Sequence, residues 1–170
     1  MEDIFTNKSA PQNLMILSGP VKSGKSSRLY ELYKNRENAA GIITLVINNK
    51  RHLYSIRTRE MKLLEADVAA SDTKVVNVGK YKFSKEVFSW GRNILLADLK
   101  QKPSLMIIDE IGPLEFLGKG LAPAAFKIIH QSLAGKQKVL VVVRESLVKQ
   151  LLEYLHLKET DVEFLSFQTI

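Results

Sequence analysis

Short runs of consecutive apolar residues alternate along this chain with stretches whose apolar residues recur every third or fourth position. The first run, Leu14-Met15-Ile16-Leu17-Ser18, stops at Gly19 and reads as a buried strand. From Gly24 to about Arg36, Leu29, Leu32 and Tyr33 share one side while Arg28, Glu31 and Lys34 lie off it, which predicts a helix. Residues 41–47 (GIITLVI) are β-branched and strand-like. Asn48-Asn49 then tolerates the positive φ of a turn, and residues 52–58 alternate apolar and polar as a returning strand would. Residues 74–78 (KVVNV) predict another short strand. Ser84 is an N-cap for a helix with Val87, Trp90, Ile94 and Ala97 on its inner face. Then come a strand over 105–108, a helix over 121–133, a strand over 139–143, a helix over 145–155 and a strand over 162–167.

Short apolar strands alternating with helices imply an α/β fold, a mainly parallel sheet covered by helices on both faces. A β-hairpin over about 42–58 is inserted after the second strand. Residues 1–13 are expected to form a flexible N-terminal arm and residues 14–170 a single domain, with no repeats or low-complexity stretch.

Composition narrows the function classes. The chain has 170 residues, 45% of them apolar, enough for one full hydrophobic core. It has no cysteine, which excludes disulfides, cysteine-ligated zinc and a cysteine nucleophile, and fits a reducing cytoplasm. No apolar run approaches the roughly 20 residues that span a bilayer, and the acidic, apolar-poor start does not resemble a signal peptide. A cytoplasmic protein with no membrane partner is expected, acting as a monomer.

The net charge of +7 is unevenly spread. Lys50, Arg51, Arg57, Arg59 and Lys62 surround the single acid Glu60, and Lys74, Lys80, Lys82, Lys85 and Arg92 surround Glu86 alone. Such runs read either as solvated faces or as a basic rim that attracts a triphosphate or a nucleic acid.

Gly19-Pro20-Val21-Lys22-Ser23-Gly24-Lys25-Ser26 matches G-x-x-x-x-G-K-[ST] at every fixed position. Converging backbone N–H groups can cradle phosphate oxygens only where glycine allows tight bends, and the following helix offers free N–H groups and its positive dipole end. Lys25 would reach the β- and γ-phosphates and the Ser26 hydroxyl would ligate Mg²⁺. A chance glycine turn is the bland alternative, but the apolar strand before and helix after supply the required context. About 85 residues later, Leu105-Met106-Ile107-Ile108 deliver Asp109 and Glu110 to the C-terminal end of a strand, where open α/β sheets bind ligands. Asp109 would hold Mg²⁺ through water, and Glu110 would orient or deprotonate the attacking water.

Asp109-Glu110-Ile111-Gly112-Pro113-Leu114-Glu115 closely resembles the D-E-I-G-x-[ML]-E signature of the THEP1-type nucleoside-triphosphatases. Gly41-Ile42-Ile43-Thr44 is similar to that family's G-[FI]-x-T strand and Val78-Gly79-Lys80-Tyr81 to its V-G-x-Y. Arg144 follows a strand where the family has a basic residue. The resemblance implies a RecA-like P-loop fold and slow, Mg²⁺-dependent hydrolysis of ATP, GTP and other NTPs to NDP and phosphate. By the same matching, residues 19–26 bind phosphates, with Ser27 next to them, and Met106, Ile107, Ile108, Asp109, Glu110, Ile111, Gly112 and Pro113 form a second nucleotide-contacting stretch. Two departures stand out. The family continues G-x-x-T with E-E-V-R where this chain has Leu45-Val46-Ile47-Asn48, and it favours Gly where Lys22 stands.

Glu115 is a candidate either to assist the water or to brace the loop, and Arg144 to act as an arginine finger in cis, against the commoner exposed arginine at a strand end. His52, His130 and His156 have no metal-ligand spacing. Two other functions stay open. Thymidine kinases have a similar phosphate loop and an Asp-Glu pair, but generally also a cysteine zinc lobe that this chain lacks. A non-catalytic nucleotide-binding module coupled to nucleic acid is the third, though stacking aromatics are sparse in the basic runs. In the favoured reading the basic hairpin, residues 50–62, steers or covers the nucleotide.

Overall fold

The structure, a computed structural model, describes residues 12–67, 69–166 and 168. Most of the expected N-terminal arm lies outside these residues. Of its last two members, Gln12 donates to the Thr160 carbonyl (3.0 Å) and Asn13 accepts from Val139 N–H (2.8 Å), so both are tied to the domain.

Nine strands form among the described residues: β1 (Leu14–Gly19), β2 (Ala39–Ile47), β3 (Lys50–Ser55), β4 (Met61–Leu63), β5 (Val75–Val78), β6 (Tyr81–Ser84), β7 (Leu105–Ile111), β8 (Val139–Arg144) and β9 (Glu163–Leu165). The helices are α1 (Lys25–Tyr33), α2 (Lys85–Lys100), α3 (Pro113–Phe116), α4 (Ala124–Leu133) and α5 (Val148–Tyr154). Seven strands make one sheet in the order β4-β3-β2-β7-β8-β1-β9. From β2 to β9 the neighbours are parallel; β3 and β4 are added antiparallel at one edge. Helices cover both faces. On one, Leu29 of α1 packs with Leu17, Ile43, Ile107, Leu140 and Val142; on the other, α2, α4 and α5 pack on Ile16, Ile42, Ile108, Val141 and Val143. Alternating strand residues therefore feed the two cores, as buried parallel strands require. Among the described residues no helix is long and apolar enough to cross a membrane.

The expected elements form with small shifts at their ends, and the hairpin turns at Asn48 and Asn49, both at positive φ (50° and 61°). Phe167, the last residue of the expected final strand, lies outside the described residues. Three differences have physical causes. Residues 75–78 leave the main sheet and pair with β6 in a separate antiparallel ribbon around Gly79, because Tyr81 and Phe83 offer a partner strand close in sequence. β4, β6 and α3 are only three or four residues long, too short to show a period. The buried face of α2 is Phe88, Gly91, Leu95 and Asp98, one position on from the expected stripe, whose Val87, Trp90 and Ile94 pack on the flank. Asp98 decides that rotation. Its fully buried carboxylate accepts from Gly41 N–H (2.9 Å) on Oδ2 and from Arg57 Nε on Oδ1, so a polar residue takes the place an apolar pattern would not assign.

Candidate active site

The C-terminal ends of β1, β8, β7 and β2 meet at one edge of the sheet. β8 lies between the glycine-loop strand and the acidic strand, and the register sets Arg144 beside Gly19 and Val143 beside Ile111. The loop leaves β1 at Gly19 and enters α1 through Gly24 in a left-handed conformation (φ 85°), open to glycine without strain. Lys22 is also left-handed (φ 61°) and exposed, so the loop follows a path suited to glycine with a lysine in its place. Pro20, Val21, Ser23, Gly24 and Ser27 are exposed and Ser26 half-buried. Lys25 is buried, and its ammonium donates to the Gly19 carbonyl (3.2 Å), the Pro20 carbonyl (2.7 Å) and Ser23 Oγ (3.1 Å).

Two strands away, Met106, Ile107, Ile108 and Ile111 are fully buried, with Met106, Ile108 and Ile111 in one core and Ile107 in the other. Their side chains are packed inside the sheet and carry Asp109 to its edge, which leaves their backbone as the part that could face a nucleotide. Asp109 is itself fully buried. Its Oδ2 accepts from Thr44 N–H (3.2 Å), the Thr44 hydroxyl donates to the Asp109 carbonyl (2.5 Å), and Oδ1 has no hydrogen-bond partner. Burial pushes its pKa up to about 7, and Glu110 adds to the rise. The Ser26 hydroxyl, the Thr44 N–H and the Lys25 charge act the other way. An orphaned carboxylate oxygen beside Ser26 and Lys25 suits a hard cation. Thr44 was legible only as part of the Gly41–Thr44 resemblance; its work on Asp109 comes from the β2–β7 pairing.

Glu110 is half-exposed at the point where the β7–β8 register shifts, and its Oε1 lies 3.3 Å from Arg144 Nε. Glu115 behaves differently. It is buried, Oε2 accepts from Gly112 N–H (2.9 Å), and Oε1 accepts from Leu121 N–H (2.8 Å). Desolvation raises its pKa and those N–H groups oppose the rise. With a backbone N–H donor on each oxygen, Glu115 braces the 112–121 loop, one of the two roles expected of it. Pro113 is exposed at the first position of α3 and Gly112 is buried against the brace.

The basic hairpin is divided between the two ends of the sheet: Lys50 and Arg51 pair with Ile47 and Val46, past Thr44 at the end that carries the site. Ser55 pairs with Ile42 and Ile56 N–H bonds the Gly41 carbonyl, so Arg57 and Arg59 lie at the opposite end of β2 from the glycine loop. Its other cations are engaged too: Lys50 with Asp67 (2.9 Å), Arg51 with Glu65 (3.3 Å) and over the Tyr81 ring, and Lys62 over Trp90. Among the described residues no three His, Asp or Glu side chains gather into a metal site.

A glycine loop closed on a buried lysine, with an acidic pair across an intervening strand, defines a P-loop nucleoside-triphosphatase with a RecA-like sheet. The chain belongs to the NTPase family, whose model matches residues 14–168, in line with the THEP1-type resemblance of its acidic heptapeptide. THEP1 from the hyperthermophile Aquifex aeolicus has a similar structure, with a TM-score of 0.71 over 90% of this chain and 88% of that one. The two are 19% identical in sequence, so this likeness speaks for the fold. Comparison with curated proteins by sequence returns no match. Nucleoside-triphosphatase activity follows from the family.

Proposed function

We propose that the protein hydrolyses ATP, GTP and other nucleoside triphosphates to the diphosphate and phosphate with Mg²⁺, at a slow rate. The observation that carries this reading is the buried pair formed by Lys25 at the glycine loop and Asp109 with its unpartnered Oδ1. The triphosphate would lie along residues 19–27, its β- and γ-oxygens taking over the three contacts that Lys25 makes with the loop. Ser26 and Asp109 would hold Mg²⁺, which when bound neutralises the charge that builds on the β- and γ-oxygens. Glu110 accepts a proton from water as the water oxygen bonds to the γ-phosphorus and the bond from that phosphorus to the β–γ bridging oxygen breaks. Arg144, level with Gly19 on the strand between the two halves of the site, is placed to exchange Glu110 for a γ-phosphate oxygen, stabilising charge and freeing the base. Glu115 keeps the Gly112 turn in position.

Phosphate release from a panel of NTPs, with and without Mg²⁺, tests the reading. Mg²⁺-dependent release that falls by about 10²–10⁴-fold in Glu110→Gln is expected; release unaffected by chelation would refute it. A nucleoside kinase would instead need an acceptor before phosphate leaves the triphosphate, which the same assay with a nucleoside present would reveal.

A further inference from the structure

The second basic run has a destination outside the triphosphate site. Lys82 pairs with Asp72 (3.1 Å) and Lys80 lies over the Tyr81 ring, but Lys85 and Arg92 turn into a cleft of about 540 Å³ between the β5–β6 ribbon, α2 and the loop before α4. That loop adds Lys119, about 30 residues from the run in sequence. Val75, Val76 and Phe88 form an apolar wall, and no acid lines the cleft, Glu86 included. No ion pair of the described residues involves Lys85, Arg92 or Lys119. Lys85 Nζ donates to the Thr73 carbonyl (3.0 Å) and Arg92 to the Gly120 carbonyl (2.6 Å), contacts that position the cations and leave their charges uncompensated. None of residues 19–27 or 106–113 reaches the cleft, and α2 covers the sheet face opposite the glycine-loop helix.

We propose that this cleft is a second anion site that takes an organic phosphate ester of about nucleoside-monophosphate size. Three cations without a counter-charge call for a polyvalent anion. The volume exceeds what inorganic phosphate needs, and the apolar wall suits an organic body held by a few fixed polar groups. The site is wired to the catalytic loop. Arg92 holds Gly120, whose φ of 62° sets its backbone against the Glu115 carboxylate so closely that any Cβ there would collide with Oε1. Glu115 in turn holds Gly112, two residues past Glu110. An occupant that draws Arg92 off Gly120 loosens the brace behind Glu110 and changes the hydrolysis rate.

Equilibrium binding of labelled AMP to the wild type, Lys25→Ala and Lys119→Gln tests the site. AMP should bind wild type and Lys25→Ala alike, weaken with added salt, and lose about tenfold in affinity in Lys119→Gln, since a hydrogen bond to a charged group contributes about that factor. Adenosine should not bind. In the wild type AMP should alter triphosphate turnover, and in Lys119→Gln the AMP concentration for half of that effect should rise by the same factor. AMP binding lost in Lys25→Ala but kept in Lys119→Gln would seat it on the glycine loop and overturn the proposal. So would absence of binding, or a salt-sensitive complex with single-stranded DNA but none with AMP. Triphosphate-analogue binding to the same variants judges the glycine loop separately.

Discussion

Lys25 is the residue on which the triphosphate site turns, because its ammonium is already buried among three oxygens of the loop. Lys25→Ala should abolish tight binding of a non-hydrolysable triphosphate by calorimetry; undiminished affinity would remove the loop from the site. Glu110→Gln should keep that binding and lower kcat by about 10²–10⁴-fold, the usual worth of a general base. Asp109 allows a test without ligand. Its pKa rises from 3.8 to about 7 in the fold, so between those values the unfolded chain has lost a proton that the folded protein keeps. The contribution of Asp109 to the stability of the nucleotide-free protein therefore falls as pH rises through that window and is flat above it. Asp109→Asn cannot titrate, so its stability relative to wild type should improve by roughly 2–3 kcal/mol from pH 5 to pH 8 in denaturant titrations. A difference that does not change with pH would show that Asp109 ionises freely.

Between elements, the Asp98 carboxylate ties α2 to β2 through Gly41 N–H and to the segment after β3 through Arg57. Gly41 lies in the sheet for a separate reason: at its φ of 116° any Cβ would run into the Ile107 backbone on the paired β7. Removing Arg57 strands a buried charge. A fully buried pair costs about 3–5 kcal/mol to break, and the partly exposed Arg57 lowers that to roughly 2 kcal/mol for Arg57→Ala. The KM for triphosphate should not move, because Arg57 is at the far end of β2. Steady-state kinetics beside a urea titration separate the two effects; a raised KM with full stability would return the hairpin to the nucleotide.

For the molecule as a whole, the site is shared among β1, β2, β7 and β8, so ligand binding should brace the entire sheet. Mg²⁺ and a non-hydrolysable triphosphate at 100 times Kd add about 2.7 kcal/mol, or roughly 5–11 °C in Tm for a chain of this size. Lys25→Ala should show no such shift in a thermal scan, and an equal shift in the variant would place the ligand elsewhere.

Local chemistry was enough to determine much of this protein. A strand ending in Gly19, the spacing to Gly24, Lys25 and Ser26, and an apolar run delivering Asp109 and Glu110 each depend on neighbours in the chain, and so does the alternation that specifies an α/β sheet. Only the fold decided the rest, because those features depend on partners far away in sequence. Strand order set β8 and Arg144 between the two halves of the site. Burial at the sheet edge raised the pKa of Asp109, and Thr44 came to it across the β2–β7 pairing. Asp98 turned α2 by one residue through contacts with Gly41 and Arg57, which no periodicity encodes. Glu115 spent both oxygens on backbone N–H groups of its own loop. Charge runs were the least legible, since a row of cations in sequence says nothing of which acid or ring each will meet. Asp67, Glu65, Trp90 and Asp98 absorbed four of the five cations of one run, and Lys119 joined Lys85 and Arg92 of the other, because tertiary packing alone brings distant charges together.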